Sequence, residues 1–341
     1  MRHLKSWLKR FLAPWASIAM ARVSAHRHLI ETPQGKLIGR VHGFERHIYE
    51  FKGIPYAVPP TGNRRWKPPE AAGGWRGERL AIRFTPDAIQ SPYEHTSFYY
   101  RQSRPVSEDC LYLNVWTPDP EGKRPVIVWF HGGALTRGSA AIDLYEGTHL
   151  ARKNVVVVSV NYRLGIFGYF GHPELIEESP NKAAGNYGVM DQIEALRWVR
   201  DNIHAFGGDP ANVTICGQSA GAWSVSMMSA SPLARGLFHK VIAQSGGRLD
   251  HRPELEAAAK AGEKLAHEIG RSTIDGLRDM PALDLQEAAD RAQYQPDHVV
   301  DGWVLPKQAY DIFAAGEHNV VPALLGFNED EGTTLGVSAL V

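Results

Sequence analysis

A short apolar run, Val213 to Cys216, leads straight into Gly217-Gln218-Ser219-Ala220-Gly221, and a segment carrying Val225, Met227 and Met228 follows. The run reads as a strand and the segment as a helix, so the backbone must reverse within the intervening turn. So tight a turn holds its central residue in a strained conformation and lifts that side chain clear of the sheet. Gly217 and Gly221 lack a Cβ, which lets strand and helix close up on either side. The helix directs its first N–H groups, and the positive end of its dipole, at the Ser219 hydroxyl. A G-x-S-x-G pattern alone is common in glycine-rich loops. Between a strand and a helix it marks Ser219 as a candidate nucleophile.

The rest of the chain supplies a sheet to carry such a turn. Leu111–Trp116, Val126–Phe130, Val155–Val160, Val213–Cys216, Val241–Gln244 and Ala323–Gly326 are short apolar runs rich in β-branched residues. Helical segments separate several of them, most clearly Asp191 to Phe206, where Ile193, Leu196, Val199 and Ile203 make one apolar face. This alternation predicts an α/β fold with a mostly parallel central sheet. Pro253–Ile269 and Lys307–Ala315 read as further helices. Upstream, Lys36–Val41 and His47–Phe51 alternate as an N-terminal antiparallel hairpin across Gly43. Gly53–Gly62 is too rich in Pro and Gly for regular structure. Residues 85–108 are irregular and aromatic, with Tyr93, Phe98, Tyr99 and Tyr100, and read either as the mouth of a pocket or as local packing. No repeat or linker divides residues 30–341, which are expected to form one domain.

Charge excludes one class of partner. Lys plus Arg and Asp plus Glu balance at 37 each, and the basic residues are scattered, so no nucleic-acid face is expected. Nothing after residue 30 is apolar for long enough to cross a bilayer. Cys110 and Cys216 are too few for a disulfide framework, and both thiols are expected free. Residues 1–29 have three readings. Basic Met1–Arg10 before apolar Phe11–Ala21 looks like an export signal interrupted by Pro14, Trp15 and Ser17. Leu4, Trp7, Leu8, Phe11, Leu12 and Trp15 recur at helical spacing, as in an interfacial helix. The third reading is a helix docked on the body of the protein. Free thiols fit a cytoplasmic location, and the signal reading a secreted or periplasmic one.

Acyl transfer through a serine needs a nucleophile, a base, an acid that orients the base, and N–H donors for the oxyanion. His131-Gly132-Gly133-Ala134 follows the strand Val126–Phe130 and offers small residues whose amides, with the N–H of Ala220, suit an oxyanion. His131 itself reads as hydrogen-bonded scaffolding. The loop after Ala323–Gly326 carries Glu329, Asp330 and Glu331, and spacing alone does not choose among these carboxylates.

With these motifs in view, the chain resembles the type-B carboxylesterase family, which includes the cholinesterases and bacterial para-nitrobenzyl esterases. Phe206 through Gly221 fits that family's serine signature, and Glu108-Asp109-Cys110-Leu111-Tyr112-Leu113-Asn114-Val115 fits a second. Gly53-Ile54-Pro55-Tyr56-Ala57, Asn161-Tyr162-Arg163-Leu164-Gly165, Gly185-Asn186-Tyr187-Gly188 and Asp191-Gln192 are further landmarks, so the likeness covers residues from about 30 to 335. The resemblance implies an α/β-hydrolase fold and hydrolysis of small carboxylic esters through an acyl-enzyme on Ser219, with no cofactor and no metal. It also implies Glu331 as the acid and the amides of Gly133, Ala134 and Ala220 as the oxyanion hole.

Cys110 in such proteins pairs with an upstream cysteine, but Pro86-Asp87-Ala88-Ile89-Gln90 has alanine there, which again implies a free thiol. Leu135 stands where an aromatic residue often follows the oxyanion glycines. The family's histidine base lies well downstream of the glutamate, and no histidine follows His318. The expectation is therefore a domain incomplete at the C-terminus, without its final strand and histidine loop, as a fragment or a truncated gene product. His131, His172, His204 and His298 are the internal positions at which a substitute base is sought. The alternative to an esterase is a catalytically silent binding or adhesion domain, against which the joint retention of Ser219, Glu331 and the glycine loop argues.

Overall fold

A computed structural model describes residues 26–42, 47–93, 95 and 104–331. The expectations for residues 1–25, and for Phe98, Tyr99 and Tyr100, lie outside the described residues. The strands are β1 (His26–Thr32), β2 (Gly35–His42), β3 (Ile48–Pro55), β4 (Glu78–Leu80), β5 (Asp87–Ala88), β6 (Val106–Ser107), β7 (Tyr112–Thr117), β8 (Arg124–Phe130), β9 (Val156–Val160), β10 (Gly208–Gln218), β11 (Lys240–Gln244) and β12 (Ala323–Gly326). The main sheet has the order β1-β2-β3-β7-β9-β8-β10-β11-β12, with β4 beside β2. Pairing along β1-β2-β3-β7-β9 is antiparallel, and from β9 through β8, β10 and β11 to β12 it is parallel. This is the α/β-hydrolase arrangement, an antiparallel N-terminal portion joined to a parallel half.

The expected hairpin is present, with Arg40 opposite Glu50. β1 extends it by a strand that the reading of residues 1–29 did not anticipate. Gly53–Gly62 is not wholly irregular, because β3 runs on to Pro55. The strand survives its glycine through a bulge between Lys52 and Ile54, where Gly53 takes φ +77° and donates its amide to Asn114 Oδ1 at 3.0 Å.

Burial explains the parallel half. All of Val156–Val160 is buried, as are Val126, Val128 and Phe130 in β8 and Val213 and Ile215 in β10. Such strands need cover on both faces, and helices supply it. The helix expected from Asp191 instead spans Tyr187–Asn202 and continues as a 3₁₀ turn, Ile203–Phe206. It is buried almost all round rather than along one stripe, because its inward polar residues find partners: Asp191 with Arg163, and Gln192 Nε2 with Ser224 Oγ at 3.0 Å. Leu255–Glu268 and Ala309–Ala314 lie inside the two later helical segments expected, and Ala282–Arg291 is an additional helix. Both cysteines are free and buried.

Candidate active site

Parallel strands deliver their C-terminal ends to one edge of a sheet, where loops can converge on a ligand. Gly217 pairs with Phe130 on one side and with Ala243 on the other, while Gln218 pairs with Gln244, which pairs with Gly326. Ser219, His131, Ser245 and Phe327 therefore all leave the sheet at the same edge.

Ser219 has φ 53° and ψ −124°, the strained geometry expected of it. A non-glycine residue there costs on the order of 1–3 kcal/mol and persists only when its surroundings impose it. Here they do. The Ser219 amide donates to Gln244 O at 2.9 Å, and Ser219 O accepts from the Trp223 amide at 3.0 Å as the helix Ala220–Ala230 begins. A Cβ on Gly217 would lie 2.4 Å from Gly221 C, and one on Gly221 would lie 2.1 Å from Phe130 O. Side chains at either position would push the turn open. The Ser219 side chain is half-buried, and its hydroxyl has no hydrogen-bond partner among the described residues.

The glycine loop after β8 comes directly alongside. A Cβ on Gly132 would sit 3.1 Å from Ser219 Cβ and 2.6 Å from Gln218 O. Gly133 has φ +116°, and a Cβ there would meet Arg137 O at 2.0 Å. Ala134 and Leu135 follow at φ 54° and 62°, so two successive non-glycine residues are left-handed. The turn is fixed through Gly133 O, which accepts from the amides of Thr136 and Arg137 at 3.0 and 3.1 Å and from Thr136 Oγ1 at 3.1 Å. The amides of Gly133, Ala134 and Ala220 have no acceptor among the described residues.

Two supports of this loop escaped the sequence reading. Tyr162 donates its hydroxyl to His131 O at 2.6 Å and stacks on the His131 ring at 4.5 Å. Gln90 clamps Gly138 at the far end, accepting its amide and donating to its carbonyl, each at 2.8 Å. Tyr162 lay inside a recognised landmark, whereas nothing in the sequence distinguished Gln90. Leu135, noted as a departure, is buried in the main core, and its carbonyl accepts the Gly165 amide at 2.7 Å.

Glu331 follows β12 at the same sheet edge, and its Oε2 accepts the Asn328 amide at 3.1 Å within its own loop. With strands about 4.8 Å apart, the ends of β10 and β12 are roughly 10 Å from each other, a gap that an imidazole between them could span. The four internal histidines sit elsewhere or are held by other contacts. His131 is buried under the glycine loop with Nδ1 2.9 Å from Gly132 O, and burial lowers its pKa to about 4. Nδ1 of His172 accepts the Glu174 amide at 3.2 Å and caps the helix Pro173–Glu178. His204 is exposed just before β10, at the opposite end of that strand from Ser219. His298 is buried edge-on to Tyr169 with neither ring nitrogen bonded among the described residues, and burial, helped by Arg248 and Arg252, lowers its pKa to about 3. Among the described residues no group of three or more His, Cys, Asp and Glu could hold a metal ion, and no helix is long and apolar enough to cross a membrane.

A strand-to-helix turn with a strained serine, a glycine loop from the adjacent strand and an acidic loop two strands away define an α/β-hydrolase scaffold. Comparison with known proteins narrows the class. A model of the carboxylesterase family matches residues 26–339, and the chain belongs to that family. It is 39% identical over 318 residues to the para-nitrobenzyl esterase of Bacillus subtilis (strain 168), covering 89% of this chain and 63% of that protein. It is also 39% identical over 300 residues to the fumonisin B1 esterase of Sphingopyxis macrogoltabida, covering 86% and 55%. A crystal structure of a Geobacillus stearothermophilus carboxylesterase superposes with TM-score 0.80 at 38% identity, covering 91% of this chain and 63% of that one. The chain thus spans 55% to 63% of the length of these relatives.

Proposed function

We propose that this chain carries the nucleophile and oxyanion hole of a serine esterase acting on small carboxylic esters. Ser219 Oγ attacks the ester carbonyl and forms an acyl-enzyme, which water then cleaves. The amides of Gly133, Ala134 and Ala220 stabilise the charge that develops on the carbonyl oxygen. Being fixed before the substrate arrives, they cost no reorganisation during the reaction. Glu331 orients the base, an imidazole that the family resemblance assigns to sequence downstream of it.

The observation that carries this reading is the strained, half-buried Ser219 beside amides that have no acceptor among the described residues. At φ 53° and ψ −124° Ser219 lies outside the regions that non-glycine residues ordinarily occupy, and strain of that kind concentrates at active sites. The test is labelling with a fluorophosphonate, followed by peptide mapping. Covalent modification at Ser219 that disappears in Ser219→Ala supports the assignment, and equal labelling of the two proteins rules it out. A protein carrying the complete triad that neither labels nor turns over p-nitrophenyl acetate would favour the silent binding domain.

A further inference from the structure

A small cavity that this chemistry does not use lies against Ala88 of β5 and the residue that follows β6, Glu108. Ala88, Ile89, Glu108, Cys110, Arg163 and Phe167 are among its lining residues, and apart from half-buried Glu108 these are buried. The space open to the centre of a water molecule is about 10 Å³. That is near the lower limit for holding a single water. Arg163 is the lining residue with a bond left to make. Its backbone amide, Nε and Nη2 all donate to the Asp191 carboxylate, at 3.0, 2.8 and 2.7 Å. Its Nη1 has no hydrogen-bond partner among the described residues, although the side chain is only 2% exposed. A buried donor left unbonded is costly, so a ligand that accepts from it is stabilising.

We propose that this cavity binds one water molecule, which accepts a hydrogen bond from Arg163 Nη1. Charge selects water over a halide or another small anion. The Arg163 guanidinium is already neutralised by Asp191. Arg65, the other cation on the cavity wall, is neutralised by Glu108 through bonds of 2.7 and 2.8 Å. An anion would bring an uncompensated charge into the interior, which is expensive. Water brings none, and its own protons can go to the Glu108 carboxylate or the Cys110 sulfur on the same wall. A dry cavity is the expectation only for an apolar lining.

Crystals of the protein, with and without a bromide soak, test this directly. The expected result is one water-sized peak within about 3.2 Å of Nη1 and no anomalous signal from bromide. An empty cavity or a bromide peak would overturn the proposal. Ala88→Val gives an independent sign test. Filling a dry void raises the thermal midpoint, whereas evicting a water and stranding Nη1 lowers it by several degrees. The same substitution in an Arg163→Met, Asp191→Met background, where nothing calls for a water, should not lower the midpoint. A rise in the parent protein, or an equal fall in both backgrounds, refutes the site.

Discussion

At Gly133 one hydrogen atom in place of a methyl group decides whether the glycine loop can form. A Cβ there meets Arg137 O at 2.0 Å, and φ +116° is closed to other residues. Gly133→Ala should slow fluorophosphonate labelling of Ser219 by about 10²–10³-fold, the usual loss when an oxyanion donor is displaced. Unchanged circular dichroism with an unchanged labelling rate would refute the role. The buried imidazoles give a pH prediction. His131 and His298 have pKa values lowered from 6.5 to about 4 and about 3. Below pH 6.5 the unfolded chain takes up protons that the folded chain refuses, so proton uptake favours unfolding. Their contribution to stability is therefore full above pH 6.5, declines as the pH falls, and levels off below about 3. The thermal midpoint should drop between pH 7 and pH 4, and His298→Leu should flatten that drop. A parent and variant with parallel profiles would contradict the assignment.

The helix Tyr187–Asn202 depends on a buried ion pair. Arg163, in the connection after β9, is 2% exposed and Asp191, in the helix, is fully buried, with a bidentate contact between them. Removing one partner of such a pair leaves an uncompensated charge in the interior and costs about 3–5 kcal/mol, whereas replacing both by apolar groups of similar volume is often close to neutral. Asp191→Asn is expected to shift the urea unfolding midpoint strongly downward, and Arg163→Met, Asp191→Leu together much less. A larger loss in the double variant than in the single one would show that the pair itself stabilises the fold. This helix also marks a limit of reading periodicity. Ile193, Leu196, Val199 and Ile203 form an apolar stripe, yet the intervening Asp191, Gln192 and Glu194 are buried too, and only the tertiary partners reveal it.

Across the whole molecule, cover is uneven. β9 is buried on both faces, but every residue of β12 is exposed. Leu324 and Leu325 are each 65% exposed and Phe327 is 83% exposed. Successive strand residues point to opposite faces, so among the described residues β12 lacks cover on both, and its edge away from β11 has no partner strand. A bare apolar strand edge invites pairing with other chains. Expressed as residues 1–341, the chain should associate with rising concentration, and Leu324→Glu with Leu325→Lys should suppress this in sedimentation velocity. Sedimentation of parent and variant as equal monomers at high concentration would contradict it.

Where the cause is local, the residues alone are enough to foretell the structure. A strand, two glycines around a serine and a helix specify the turn at Ser219, because only Gly217 and Gly221 allow its close approach to Phe130 and its neighbours. Runs of β-branched residues specified the parallel strands, and alternation specified the hairpin of β2 and β3. Tertiary structure alone decided the rest. It set β7 antiparallel between β3 and β9, carried β3 through the Gly53 bulge by means of Asn114, and put Tyr162 and Gln90 beneath the glycine loop. Those outcomes depend on which distant groups meet in space. A hydrogen bond between residues 48 positions apart, as from Gln90 to Gly138, leaves no periodic trace in the chain.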